Sequence, residues 1–227
     1  RSFLGTRGAF AGVFFALLPA GAMGLGLALQ SNIAVEVGMS DDEVANLGIW
    51  SQLVGGAFMV LGGLISDKLG RRSTLAVYLL LMSPPAVWLM WQLQAAGWIM
   101  PNPAEGAAGH RAASPILITA VWWATMAYAV SQGLMYGTRS AIFMDVTNPR
   151  VAATQFTAYM AMMNLAISYS ATWQGIAAEA IGYPNTLLID AITGPLCVLL
   201  LPFLIASKKP EGDGGGVFRA RASAIGL

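Results

Sequence analysis

Six long apolar runs divide this sequence, near Ala9–Ser31, Asn46–Ser66, Thr74–Trp98, Pro115–Phe143, Ala152–Ala178 and Asn185–Ala206. A membrane-crossing helix needs roughly 20 mostly apolar residues, and every run reaches that length. The runs are continuous, which excludes the ~10-residue alternating strands of a membrane β-barrel. The first run is too long for a signal peptide, and no soluble domain follows it. The expected fold class is therefore an all-α polytopic membrane protein. Residues 1–207 form one six-helix transmembrane unit, and residues 208–227, with Gly214-Gly215-Gly216, form a flexible cytoplasmic tail.

Composition agrees. Of 227 residues, 56% are hydrophobic and 10% charged, against about 25% charged in soluble domains. The single cysteine, Cys197, excludes a disulfide scaffold. The hydrophobicity excludes a disordered chain. Twelve Lys and Arg against 11 Asp and Glu leave no basic footprint for nucleic acid. The one histidine, His110, falls in a loop, so a serine nucleophile has no base beside it. No Cys/His cluster exists to bind a metal. No catalytic residue, metal or cofactor is expected.

Charge placement orients the chain. Alternate connections hold Arg1, Arg7, Lys68, Arg71, Arg72, Arg139, Arg150, Lys208, Lys209, Arg219 and Arg221 on one side, and only Arg111 on the other. The basic side is cytoplasmic, so both termini are expected there. Glu36, Asp41, Asp42, Glu43, Glu105 and Glu179 fall on the outer side. Trp50 and Trp98 suit an outer interfacial belt.

The turn between the second and third runs reads Gly63-Leu64-Ile65-Ser66-Asp67-Lys68-Leu69-Gly70-Arg71-Arg72. Gly63 permits close approach of a neighbouring helix. Asp67 is an anion at a helix end, suited to a basic partner or a facing helix N-terminus. Gly70 permits a tight reversal, and Lys68, Arg71 and Arg72 anchor the turn in the cytoplasm. At every defined position this turn resembles the signature G-x-x-x-D-[RK]-x-G-[RK]-[RK] of the major facilitator superfamily. The resemblance implies a conformational-switch role for Gly63, Asp67, Lys68, Gly70, Arg71 and Arg72.

Gly175-Ile176-Ala177-Ala178-Glu179-Ala180-Ile181-Gly182 repeats the glycine–acid–glycine frame in the fifth run, at the opposite membrane face. Two inverted three-helix repeats predict such a pair, and a six-helix unit of this kind is half of a facilitator fold. The start at Arg1 without a methionine reads as the C-terminal half, a processed N-terminal half being the alternative. A second six-helix half, in the same gene or a separate chain, is an expected partner beside the lipid bilayer.

Phe143-Met144-Asp145-Val146-Thr147-Asn148-Pro149, followed by Ala153-Thr154-Gln155-Phe156, resembles the muropeptide permease and acetyl-coenzyme A transporter branch of that superfamily. The resemblance implies a bacterial inner-membrane permease, proton-driven, for a muropeptide-like or other bulky anionic solute.

In the fourth run Thr125, Tyr128, Gln132, Tyr136 and Arg139 stand at offsets 0, 3, 7, 11 and 14. At about 100° per residue they share one face. Polar side chains facing lipid are costly, so Thr125, Tyr128, Gln132 and Tyr136 are candidate cavity residues, with interhelical bonding as the alternative. Arg139 is expected to form a structural ion pair with Asp145 or Asp67, with snorkelling to the cytoplasmic surface as the alternative. In the fifth run Thr157, Ala161, Asn164, Ser168, Thr172 and Gly175 form a small-and-polar stripe that suits packing against the other half. Asn164 is its functional candidate. Gly21, Gly24 and Gly26 mark a flexible segment or a close-packed one in the first run. Asp190, a carboxylate within the sixth run, is a candidate for proton coupling or for a helix N-terminal turn.

Two function classes follow. One is half of a secondary transporter working by alternating access on a small-molecule solute. The other is a non-transporting structural or assembly subunit that reuses the fold beside other membrane subunits.

Overall fold

The computed structural model describes residues 7–103 and 106–204. Arg1, Glu105, the end of the sixth run at Ala206 and the tail with Lys208, Lys209, Arg219 and Arg221 lie outside the described residues. Among the described residues the chain is helical without strands. The helices are α1 (Arg7–Leu17), α2 (Ala28–Glu36), α3 (Asp41–Leu69), α4 (Arg71–Leu81), α5 (Ser83–Ala95), α6 (Pro115–Val146), α7 (Ala152–Ile181) and α8 (Tyr183–Thr193). A 3₁₀ segment, Gly194–Phe203, continues α8.

Among the described residues, three helical stretches are long and apolar enough to cross a membrane: Asp41–Leu69, Arg71–Ala95 and Tyr183–Phe203. The second is α4 and α5 joined at Met82. Helices α6 and α7 are 32 and 30 residues long, about 45 Å or more at 1.5 Å per residue. Their polar stripes lower their hydropathy.

The first apolar run departs from expectation. It is not one helix over Ala9–Ser31 but two, with irregular chain and a single 3₁₀ turn, Gly24–Gly26, between α1 and α2. Pro19 lacks the N–H a helix interior needs and disfavours helical geometry at Leu18. Gly21 then adopts a φ of +76°, which only glycine takes readily.

Helix starts follow local rules. Ser40 accepts from the Glu43 N–H while Glu43 accepts from the Ser40 N–H, a capping box that opens α3. Ser114 caps α6, with Pro115 as its first residue.

Helices α3 and α6 form the most extensive helix pair, and glycine makes it close. A methyl on Gly133 would lie 2.3 Å from the Gly55 carbonyl oxygen, one on Gly137 2.2 Å from that of Met59, and one on Gly62 2.4 Å from that of Leu134. The close approach expected at Gly63 is thus made by Gly62. A Cβ at Gly63 meets nothing within 4 Å, because it points away from α6.

Connections alternate between two ends of the bundle. At one end Arg71, after α3, bonds Asp145 at the end of α6 at 2.8 Å. At the other, Tyr183 Oη donates to Glu36 Oε1 at 2.6 Å, the Tyr183 N–H donates to the Ile99 carbonyl at 2.9 Å, and the Ser114 N–H to that of Val37 at 2.9 Å. Trp98, expected in an interfacial belt, is 3% exposed and lies under the Arg111 guanidinium, 4.3 Å from its ring centre.

The two glycine–acid–glycine frames end their helices alike. Gly70 closes α3 with φ +94° and its N–H on the Ser66 carbonyl at 3.0 Å. Gly182 closes α7 with φ +83° and its N–H on the Ala178 carbonyl at 3.0 Å. A new helix starts directly after each. Gly63 and Gly175 both have open space where a Cβ would stand.

Candidate functional site

The polar stripe of α6 faces a cavity. It has a volume of about 550 Å³ and is walled by α2, α3, α6 and the break in the first run. Thr125, Tyr128, Gln132 and Tyr136 all line it. Thr125 and Tyr128 are each 1% exposed. Gln132 Nε2 donates to Tyr128 Oη at 3.2 Å.

The wall also holds residues outside the sequence reading: Gln30 and Ser31 from α2, and Ser51 and Gln52 from α3. Polar pairs inside otherwise apolar runs were their available signal. Among the described residues, no Asp, Glu, Lys or Arg lines the cavity.

Asn164 does not line this cavity. It stands exposed on α7 with Thr157, Ala161, Ser168 and Thr172. The only α7 residue in the wall is Ile167.

The break in the first run is held by two buried charges. Asp190 on α8 is 2% exposed. Its Oδ2 accepts from the Gly24 N–H at 2.7 Å, and its Oδ1 accepts from Gln174 Nε2 at 2.9 Å. The α1 side is held by Arg139, also 2% exposed. Its Nη2 donates to the Phe15 carbonyl in the last turn of α1 at 3.0 Å. Its guanidinium lies 5.1 Å from the Phe15 ring centre and 5.6 Å from that of Phe143. A cation at a helix C-terminus and an anion on the N–H side of the break both oppose the local helix dipoles.

The pairing expected of Arg139 with Asp145 or Asp67 is not made. Arg71 takes both carboxylates, Asp67 at 2.8 Å and Asp145 at 2.8 Å. Arg71 follows directly on the Gly70 turn, so its side chain reaches back one helical turn to Asp67 and across to α6. These side chains are 33–55% exposed, so each pair contributes roughly 1 kcal/mol or less. Arg72 is exposed beside them, and Lys68 occupies the last turn of α3.

Two further buried amides were missed. Gln155 Oε1 accepts from the Asn148 N–H at 2.8 Å, and its Nε2 donates to Tyr159 Oη at 3.2 Å. Tyr159 Oη donates to the Ala9 carbonyl at 2.9 Å. Gln174 is fully buried against Asp190. Both glutamines sit where a lipid-facing helix would exclude them, which was the readable signal.

Comparison with family profiles, with curated proteins and with solved structures finds no match to this chain.

Proposed function

We propose that this chain is one six-helix half of a secondary active transporter. It crosses a bacterial inner membrane six times, with both ends cytoplasmic, as two inverted three-helix repeats. The observation that carries this reading is the cavity. A helix broken at mid-course and a buried polar stripe share one wall of it, and broken helices lining a polar cavity are how transporters expose backbone to a solute. The matching glycine ends of α3 and α7, and the alternation of connections between the two ends of the bundle, support the repeat.

The second half covers α3 and α7. Almost none of the apolar stretch of α3 is buried, and α7 exposes Asn164, Ser168 and Thr172 along one face. A polar stripe against lipid is unfavourable, whereas small residues favour close helix contact. The open glycines Gly48, Gly56, Gly63 and Gly175 suit the same contact. Thr125, Tyr128, Gln132 and Tyr136 contact the solute, a muropeptide-like or other bulky anionic molecule. Asp190 takes up the coupling proton. Asp67, Arg71 and Asp145 form a cytoplasmic latch that opens and closes during the cycle.

The test is uptake by this chain co-reconstituted with its second half under an imposed pH gradient. Gln132→Leu abolishes uptake while leaving insertion intact. If the chain instead purifies against unrelated subunits, with nothing closing the cavity, it is a structural subunit and the transport reading fails.

A further inference from the structure

The break in the first run leaves a helix start in the cavity wall. Helix α2 begins at Ala28 with Leu27 as its N-cap, and no side chain caps it. The first N–H groups of a helix have no intrahelical partner, and aligned peptide dipoles place about half a positive charge there. Gly26, Leu27 and Ala28 line the cavity, and Gly26 and Ala28 are exposed.

A second observation points the same way. Thr125 lines the same cavity and is 1% exposed, yet its Oγ1 has no hydrogen-bond partner. Buried hydroxyls are almost always bonded, so this one awaits an acceptor. Tyr128 Oη accepts from Gln132 and keeps its own proton to donate. A methyl on Gly26 would lie 2.7 Å from Gln132 Nε2 and 2.8 Å from Tyr128 Oη, so the backbone before α2 packs directly on these donors.

Charge decides the ligand class. Among the described residues the wall carries donors and half a helix charge but no ionised side chain, and the two buried charges nearest it, Asp190 acting on Tyr128 and Arg139 acting on Tyr136, are of opposite sign. That environment compensates one negative charge and leaves a dianion under-compensated. We propose that the start of α2, with Thr125 and Tyr128, binds a carboxylate group of the solute. The proposal rests on the transport reading above and names the group recognised.

The probe is acetate, with acetamide as its neutral match, added to the full chain in lipid nanodiscs. The readout is the NMR shift of the Leu27 and Ala28 backbone amides, the Gly26 N–H being already bonded to the Met23 carbonyl at 2.9 Å. Acetate gives saturable shifts there, and acetamide and inorganic phosphate dianion give none. Thr125→Val weakens acetate binding about tenfold, the factor for one hydrogen bond to a charged group. It leaves thermal unfolding unchanged, because the hydroxyl has no bond to lose. Gly26→Ala, whose methyl presses on Tyr128 and Gln132, abolishes the shifts. Equal shifts with acetamide, absence of shifts with acetate, or undiminished binding in Thr125→Val would overturn the proposal. Acetate binding without uptake by the assembled transporter defeats the transport reading alone. Uptake without acetate binding defeats this subsite alone.

Discussion

The Asp190 carboxylate accepts a 2.7 Å hydrogen bond from the backbone N–H of Gly24, 166 residues earlier in the chain. The contact joins the last helical segment to the break in the first. It explains how irregular backbone persists inside an apolar bundle, where an unbonded N–H is costly.

Replacement of Asp190 separates its bonding from its charge. Asp190→Ala leaves the Gly24 N–H and Gln174 Nε2 without acceptors, two buried donors at about 1–3 kcal/mol each. Asp190→Asn retains one acceptor and loses about half as much. Unfolding in mixed micelles measures both, and equal losses would remove the clamp. In uptake assays Asp190→Asn abolishes dependence on the pH gradient.

Arg139 is a buried cation with a single hydrogen bond to a carbonyl, and its Nε has no partner. Lysine carries the same charge without the planar group that lies beside Phe15 and Phe143. Methionine removes the desolvated charge at similar volume. Arg139→Lys is therefore less stable than Arg139→Met, by roughly 1 kcal/mol or more. A thermal melt that ranks them the other way would contradict this account.

Glycines of α3 and α6 divide into two classes. Gly133→Ala drives a methyl into the Gly55 carbonyl and destabilises the chain by roughly 1–3 kcal/mol. Gly63→Ala stabilises the chain by up to about 1 kcal/mol through helix propensity but weakens co-purification with the second half, as does Asn164→Leu. If Gly63→Ala destabilises the isolated chain, the face does not belong to a partner.

Asp67 and Asp145 share Arg71. Asp67→Asn and Asp145→Asn each change stability by about 1 kcal/mol or less, and both slow conformational cycling without altering solute affinity. Stopped-flow fluorescence of a labelled transporter reads the cycling. A loss of affinity at normal cycling speed would place the two residues in the solute site instead.

The helical class, the cavity-facing stripe and the two glycine-ended helices were legible in the sequence because each depends on local rules. Apolar run length sets a helix, periodicity aligns Thr125, Tyr128, Gln132 and Tyr136, and a glycine with positive φ ends α3 and α7. Pro19 also announced the break locally, though the apolar run around it masks the signal. The pairing of Arg71 rather than Arg139 with Asp145, the packing of Gly62 rather than Gly63, and the grip of Asp190 on Gly24 were decided only by tertiary structure. Each joins segments distant in the chain. Adjacent residues on a helix point about 100° apart, so which of them meets a neighbour depends on how whole helices are rotated and seated, and no local pattern encodes that.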